Sequence, residues 1–278
     1  MQNEYLYETH LHTSQSSACG ASRGSDYIKR YLDLGFTGIM VTDHFFNSNT
    51  AFDRRRTWSE WVKGFCSGYE DARNEGEKRG ISVFFGWEET FNGDDFLIYG
   101  LDKTWLLEHP EMVRWTREEQ FREIHRYGGC VVQAHPFRQH SYVGTICLSP
   151  YFVDAVEAAN AGNHEAIYDA HALEYARILC LPAVAGSDAH STVSLNRNGG
   201  PYGIKVEKKF SSVNDYVAFI LNKQQPALHI PPGRCKLNNS DKNKPFSLKT
   251  EIRDKKDRTT GRQYMSFNQV ADYILKAG

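Results

Sequence analysis

The chain has 278 residues, 33 Lys and Arg against 34 Asp and Glu, and a net charge of −1 at pH 7 with neutral histidines. That length suits one large α/β domain with an appendage and allows a substantial core. No window approaches the apolar length that spans a bilayer, and the opening "MQNEYLYETH" lacks the basic start and apolar stretch of a secretory signal, so the chain reads as cytoplasmic, with no membrane partner.

The first strand candidate is "YLYE", followed by a helix candidate "SDYIKRYLDLG" with Ser25 as N-cap and Gly35 at its end. "TGIMVT" is the second strand, and "TWSEWVKGFCSGYEDARNEGEKRG" reads as one long helical segment closing on Gly80. "ISVFFG" and "FLIYGL" are the next strands, followed by the helix "TREEQFREIHRYGG", for which Gly128 is the stop. After these come strands "CVVQA" and "DAVEA", helix "NHEAIYDAHALEYARIL", strands "PAVAG" and "YGIKV", and helix "SVNDYVAFILNK", capped by Ser212. Apolar strands alternating with helices predict a parallel sheet or barrel covered by helices.

From His229 to Gly278 the chain carries eleven Lys and Arg against five Asp and Glu; a Pro-Pro-Gly break opens a polar stretch that gives way to a last amphipathic helix "SFNQVADYILKAG". This divides the chain into a barrel over 1–228 and a basic appendage over 229–278, a solvated face rather than a nucleic-acid tail. The six cysteines are scattered with no CxxC pair, which predicts reduced, mostly buried thiols.

Five of the apolar runs end in metal-ligand residue types. "YLYET" leads into His10 and His12, "GIMVT" into Asp43 and His44, "ISVFFGW" into Glu88, "CVVQA" into His135, and "PAVAGS" into Asp188 and His190. His10 and His12, two apart on an extended chain, point to one face. In a barrel or open α/β sheet the C-terminal strand ends gather on one side, so these residues converge there. Imidazoles with a few carboxylates suit Mn, Fe or Zn, and a carboxylate able to bridge suits more than one ion.

"ETHLHTS", "VTDH", "GWEE", "QAHPFR" and "GSDAH", in this order, resemble the polymerase-and-histidinol-phosphatase (PHP) superfamily of metal-dependent phosphoesterases over roughly the first 220 residues. The resemblance implies a distorted (β/α)7 TIM-like barrel holding two to three divalent ions. It implies a first ion on His10, His12, Glu88 and Asp188, a second sharing Glu88 and taking His135, and a third on His44 and His190. Glu88 matches the motif better than Glu89. Where the family has a histidine, "DDFLIYGLD" puts Asp95, an oxygen ligand that favours Mn or Fe. After the HxH pair, "TSQSSACGAS" replaces the family's usual ligand with Ser17, Cys19 or nothing, and Cys19 reads as a small buried thiol or bystander.

The activity implied is hydrolysis of a small phosphorylated metabolite or nucleotide by a hydroxide bridging two ions. Arg138, Arg197 and, behind them, Arg23 are the candidate phosphate clamps, and His44 or His190 the candidate proton source for the leaving group. Glu157 and Asn160 are expected to support the ligands. His109, His125, His140, His164 and His171 are expected outside the site, and the aromatic run with its three arginines at 54–56 either lines a pocket or forms a surface patch. A non-catalytic metal-stabilised module and a nuclease of the same family are the alternatives.

Overall fold

Residues 4–259 and 263–277 are described by a computed structural model. The barrel begins with β1 (Tyr5–Glu8), α1 (Gly24–Asp33), β2 (Gly38–Val41), α2 (Trp58–Phe65), α3 (Ser67–Arg79) and β3 (Ser82–Phe91). It continues through β4 (Asp94–Tyr99), α4 (Lys103–Glu108), α5 (Arg117–Arg126), β5 (Cys130–Gln133), β6 (Thr145–Leu148), β7 (Ala155–Asn160), α6 (Ala166–Leu179) and β8 (Ala183–Gly186). Then come β9 (Gly203–Val206), α7 (Val213–Leu221), β10 (Ala227–His229), α8 (Asn239–Asn243), β11 (Pro245–Ile252), β12 (Gln263–Ser266) and α9 (Phe267–Ala277). No helix among the described residues is long and apolar enough to cross a membrane.

Nine strands form one sheet in the order β10-β9-β1-β2-β3-β4-β5-β7-β8. β2, β5, β7 and β8 are buried along their whole length, as strands covered on both faces must be. The sheet curls into a nearly closed, TIM-like barrel. Two devices bring its ends together: Leu11 and Ala189 form a parallel bridge beyond β1 and β8, and the Gln225 side-chain amide bonds both the N–H and the carbonyl of Ala183 on β8 (3.0 and 3.2 Å).

The sheet is mixed rather than all parallel. β4 runs antiparallel between β3 and β5, and β9 antiparallel between β1 and β10. β3 and β4 form a hairpin, so Glu88 lies inside a ten-residue strand and not at its end. The reversal of β4 brings its first residues to the rim where the parallel strands finish, which is how Asp95 reaches the ligand face.

Local sequence explains most helix boundaries. Thr57 with Glu60, Thr116 with Glu119, and Ser212 with Asp215 form capping boxes. Ser25 is not a cap: α1 starts one residue earlier, Asp26 accepts the N–H of Arg23 at 2.9 Å, and the Ser25 N–H donates to Asp71. The long helical segment breaks at Cys66, and Gly68 opens α3 against the loop after β1. A Cβ on Gly68 would fall 1.9 Å from Thr13 Oγ1, so only glycine permits that approach.

Beyond β10 the chain packs onto the barrel. β11 pairs in parallel with β6 and antiparallel with β12, forming a second sheet of three strands. Phe246 of β11 and Phe267, Val270 and Ile274 of α9 join Phe137, Tyr175 and Ala172 in one apolar cluster. Arg234, just after the Pro-Pro-Gly break, ion-pairs with fully buried Asp169 at 2.6 Å. The aromatic run after His44 is also core: Phe45, Trp61 and Phe65 are buried, Trp61 stacks on Phe65 while Phe45 meets both edge-on, and Phe46 and Trp58 pack against them.

Candidate metal centre

The period of two along β1 and its continuation puts Glu8, His10 and His12 on one side, all fully buried. Glu8 is a brace that the motif reading passed over. Its carboxylate accepts the N–H groups of His10 (2.9 Å) and Ser187 (2.8 Å) and the hydroxyl of Tyr31 (2.7 Å), tying the ends of β1 and β8 together. Burial pushes its pKa up to about 7 against those donors. The signal was present in "ETHLH", where a carboxylate shares the alternation of the two histidines.

Each histidine ring is oriented by a partner on its far nitrogen, the arrangement that leaves the near nitrogen free for an ion. His10 Nδ1 donates to Glu157 Oε1 at 2.9 Å, and Glu157 also accepts from the His135 N–H (3.0 Å) and from Asn160 Nδ2 (2.8 Å). Gly186 makes room for this pair, since a Cβ there would sit 2.5 Å from His10 Cβ and 2.8 Å from Glu157 Oε1. His12 Nδ1 lies 3.2 Å from Ser17 Oγ, which donates to Asp43 at 2.7 Å and accepts the His44 N–H at 3.0 Å. Asp43 faces this loop, bonding Thr13 N–H and Oγ1 as well, so it organises the loop after β1.

Four overlapping groups of donors result, the atoms of each within 4.8 Å of one another: His10, His12 and Glu88; His10, His135 and Asp188; Glu88, Asp95 and His135; His12, His44 and His190. His12 Nε2 is 3.1 Å from Asp188 Oδ1 and 3.1 Å from His10 Nε2. His135 Nε2 is 3.2 Å from Glu88 Oε1 and 4.0 Å from Asp95 Oδ2. His135 and Asp188 both have left-handed backbone, with φ of 30° and 51°, a strained state for such residues that turns them inward at the strand ends. Glu89, the neighbour, points away and accepts from Gln120 at 2.8 Å.

The electrostatics are those of a cavity built for cations. Burial opposes charge on His10, but Glu157, Asp188 and Glu88 outweigh it and hold its pKa well above the ordinary histidine value. Against burial, His44 and His10 keep Glu88 well below the carboxylate range, and His10 and Arg138 do the same for Asp188. Burial and the nearby His44 and His190 push His12 down, leaving it neutral with a lone pair to offer. Glu88 Oε2 is buried and has no hydrogen-bond partner; His44 Nδ1 approaches it to 2.6 Å without hydrogen-bond geometry. An orphaned carboxylate oxygen amid imidazole nitrogens is the donor set a divalent ion satisfies.

The cluster opens into a cavity of about 450 Å³ lined by Cys19, His44, Ser48, Asn49, Glu88, Thr90, Asp95, His135, Arg138, Tyr142, Asp188 and His190, among others. Arg138 is there, with its guanidinium engaged by Asp188 (2.7 Å), Asn160 (2.8 Å) and Asn163 (2.9 Å). The other two arginines are elsewhere. Arg197 is exposed on the 3-10 turn after β8, where Asn198 turns the chain and anchors it to the carbonyls of Ala161 and Asn163; Arg23 is exposed and pairs with Asp71. Cys19 is neither buried nor remote: exposed to the cavity, it lies against His190 and His44, which bring its thiol down to about 6 despite partial burial.

Of the remaining histidines, His125 bonds Asp154, His109 stacks on Trp105, His140 lies tilted against Tyr142 and His164, and His171 lies among phenylalanines. None of the five lines the cavity.

No protein-family model matches the chain, and no curated protein matches it by sequence. Among solved structures, it resembles a two-domain protein from Bacteroides vulgatus containing a predicted PHP-like metal-dependent phosphoesterase, with a TM-score of 0.60 at 16% identity, over 82% of this chain and 65% of that one. The chain has the PHP-like fold. It spans just under two-thirds of the length of that two-domain protein. A protein from Bifidobacterium adolescentis provisionally described as a metal-dependent phosphoesterase (TM-score 0.48, 15% identity, 78% and 96% coverage) and an amidohydrolase from Chromobacterium violaceum with bound sulfate and no metal (0.41, 16%, 66% and 87%) are less similar in shape. In the PHP-like fold of this chain, every candidate ligand named from the motifs lies in one connected cluster.

Proposed function

We propose that this protein is a metal-dependent phosphoesterase that hydrolyses a small phosphorylated metabolite or nucleotide. The observation that carries the reading is the orphaned Glu88 Oε2 within a buried ring of imidazoles and carboxylates that opens onto a cavity. His10, His12, Glu88 and Asp188 would hold one ion, and Glu88, Asp95 and His135 a second. Mn, Fe and Zn suit these donors. Bound there, such ions supply Lewis acidity toward phosphoryl oxygens and lower the pKa of water toward neutrality.

The protein's own groups do the rest. Glu157 keeps the His10 proton on Nδ1, Ser17 holds His12, and Glu8 fixes the strand ends, so the lone pairs stay aimed without rearrangement. Arg138 holds Asp188 through Nη2 and presents Nη1 toward the cavity beside Tyr142, 3.4 Å away, where it can meet a phosphoryl oxygen. In the reaction an oxygen of water bonds to phosphorus as the ester oxygen leaves, and the leaving alkoxide takes a proton. His44 and His190, partly exposed on the cavity wall, are the candidate donors.

Turnover of p-nitrophenyl phosphate and bis-p-nitrophenyl phosphate, with Mn²⁺ added to metal-free protein, tests this directly. Hydrolysis of either that rises with metal and is lost in His12→Ala is the expected result. Full metal occupancy without turnover of any phosphoester would sink the enzyme reading.

A further inference from the structure

The stretch "IPPGR" lies outside the motifs that supply the ion ligands, yet its arginine is joined to the rim by hydrogen bonds. Pro232 and Gly233 take the second and third places of a tight turn, in which the Arg234 N–H donates to the Pro231 carbonyl (3.2 Å) and Gly233 has a φ of +81°, the left-handed state that glycine allows. The turn delivers Arg234 to the end of β7. Its Nε donates to Asp169 Oδ2 (2.6 Å) and its Nη2 to the Asn163 carbonyl (2.6 Å).

Asp169 passes the constraint on. Its other oxygen, Oδ1, accepts from Asn163 Nδ2 (2.6 Å) and from the Asn160 N–H (3.2 Å). With its amide nitrogen committed there, Asn163 turns its oxygen to Arg138 and accepts from Nε at 2.9 Å, while Asn160 accepts from Nη2 at 2.8 Å. An amide rotated the other way would set donor against donor. Gly162 permits the closeness, since a Cβ there would sit 2.9 Å from Asn160 Oδ1 and 3.1 Å from Arg138 Nη2. Asp169 is fully buried, and burial lifts its pKa to about 6 even with Arg234 beside it. Loss of that guanidinium pushes the carboxyl toward its protonated form, which cannot accept on both oxygens.

We infer that Arg234 is a positioning residue: through Asp169, Asn163 and Asn160 it fixes the Arg138 guanidinium with Nη1 toward the cavity, so that the C-terminal segment completes the anion-binding wall of the rim. The inference rests on the reading of Arg138 as the contact to a phosphoryl oxygen.

Inorganic phosphate is titrated by calorimetry into the full chain loaded with Mn²⁺, as wild type, Arg138→Ala, Arg234→Ala and the double variant, each brought to the same metal content. Arg138→Ala should weaken phosphate about 10–100-fold, the effect of losing a charge-assisted contact, and Arg234→Ala about 3–10-fold. The double variant should bind as Arg138→Ala alone does, because Arg234 then has nothing left to position. Arg234→Lys keeps a cation beside Asp169 but lacks the fork that also reaches the Asn163 carbonyl; it should show a smaller, equally non-additive loss, and it carries the cycle where the alanine variant does not fold. Lys242→Ala breaks a different ion pair between this segment and α6, Lys242 with Glu174 at 2.6 Å, and should leave phosphate affinity unchanged. Losses that add in the double variant, wild-type affinity in Arg234→Ala, or an equal loss in Lys242→Ala would overturn the positioning role. The two readings fail separately. Non-additive phosphate losses without turnover of any phosphoester remove the enzyme and leave the role; turnover with additive losses removes the role and leaves the enzyme. A wild type that binds no phosphate overturns the role whatever its turnover.

Discussion

His10 at the barrel rim and His171 beneath the C-terminal segment are both withdrawn from water, and burial leads them in opposite directions. Around His10 stand Glu157, Asp188 and Glu88, which overcome the desolvation cost and favour positive charge. Around His171 stand Phe137, Phe246 and Phe267, the last stacked at 5.3 Å, with Asp241 the one carboxylate acting on it; burial outweighs Asp241 and pushes the pKa down to about 4. Burial that outweighs a single carboxylate makes a neutral ring that serves as packing. Burial among several carboxylates favours a cation there, whether a proton or a metal ion.

If that contrast is right, the two regions respond to different insults. The largest effect belongs to His12→Ala, expected to reduce metal-dependent phosphoester hydrolysis to background and to remove the first ion, as read by kcat/KM and bound metal equivalents. Phe267→Ala should do the reverse, costing about 3–5 kcal/mol of stability in urea unfolding through the cavity it leaves, with metal bound per folded chain unchanged.

Acid sharpens the comparison next. The His171 value is lower folded (about 4) than in the ordinary state (6.5), so its contribution to stability is whole above pH 6.5 and is lost as the pH falls toward 4. In metal-free protein that loss is on the order of 3 kcal/mol, and His171→Phe should flatten it in urea midpoints measured across the window. A smaller effect is expected at the rim from Glu157→Gln, which keeps the shape but removes the negative charge facing the His10 proton and puts an amide donor in place of one of the two accepting oxygens. Metal affinity by calorimetry should fall about 10–100-fold. Smallest of all, Arg197→Ala should leave kcat/KM and metal content unchanged, because its side chain lies away from the cavity.

The same contrast bears on what the sequence alone reveals. The rim was legible because each ligand follows a short apolar run, and strand ends on one side of a barrel converge whatever the loops do. His10, His12, His44, Glu88, His135, Asp188 and His190 are therefore readable one motif at a time, and Asp95 by its place after Glu88. Strand direction was not legible, since an apolar run reads alike either way; β4 and β9 run antiparallel, and only pairing reveals it. Nor was the parallel pairing of β11 with β6, a contact between segments about a hundred residues apart in a stretch that reads as polar. Nor was the placement of Arg197, exposed on its turn, or of Cys19, on the cavity wall, because side-chain direction in an irregular loop is set by hydrogen bonds to distant carbonyls, such as Asn198 to Ala161 and Ala21 to His190.

The central claim, that the rim holds metal ions, is most directly tested by anomalous diffraction at the manganese edge from crystals of the full chain grown with Mn²⁺. The account predicts one peak among His10, His12, Glu88 and Asp188 and another among Glu88, Asp95 and His135. Well-ordered imidazoles at the rim with no anomalous peak between them would contradict it.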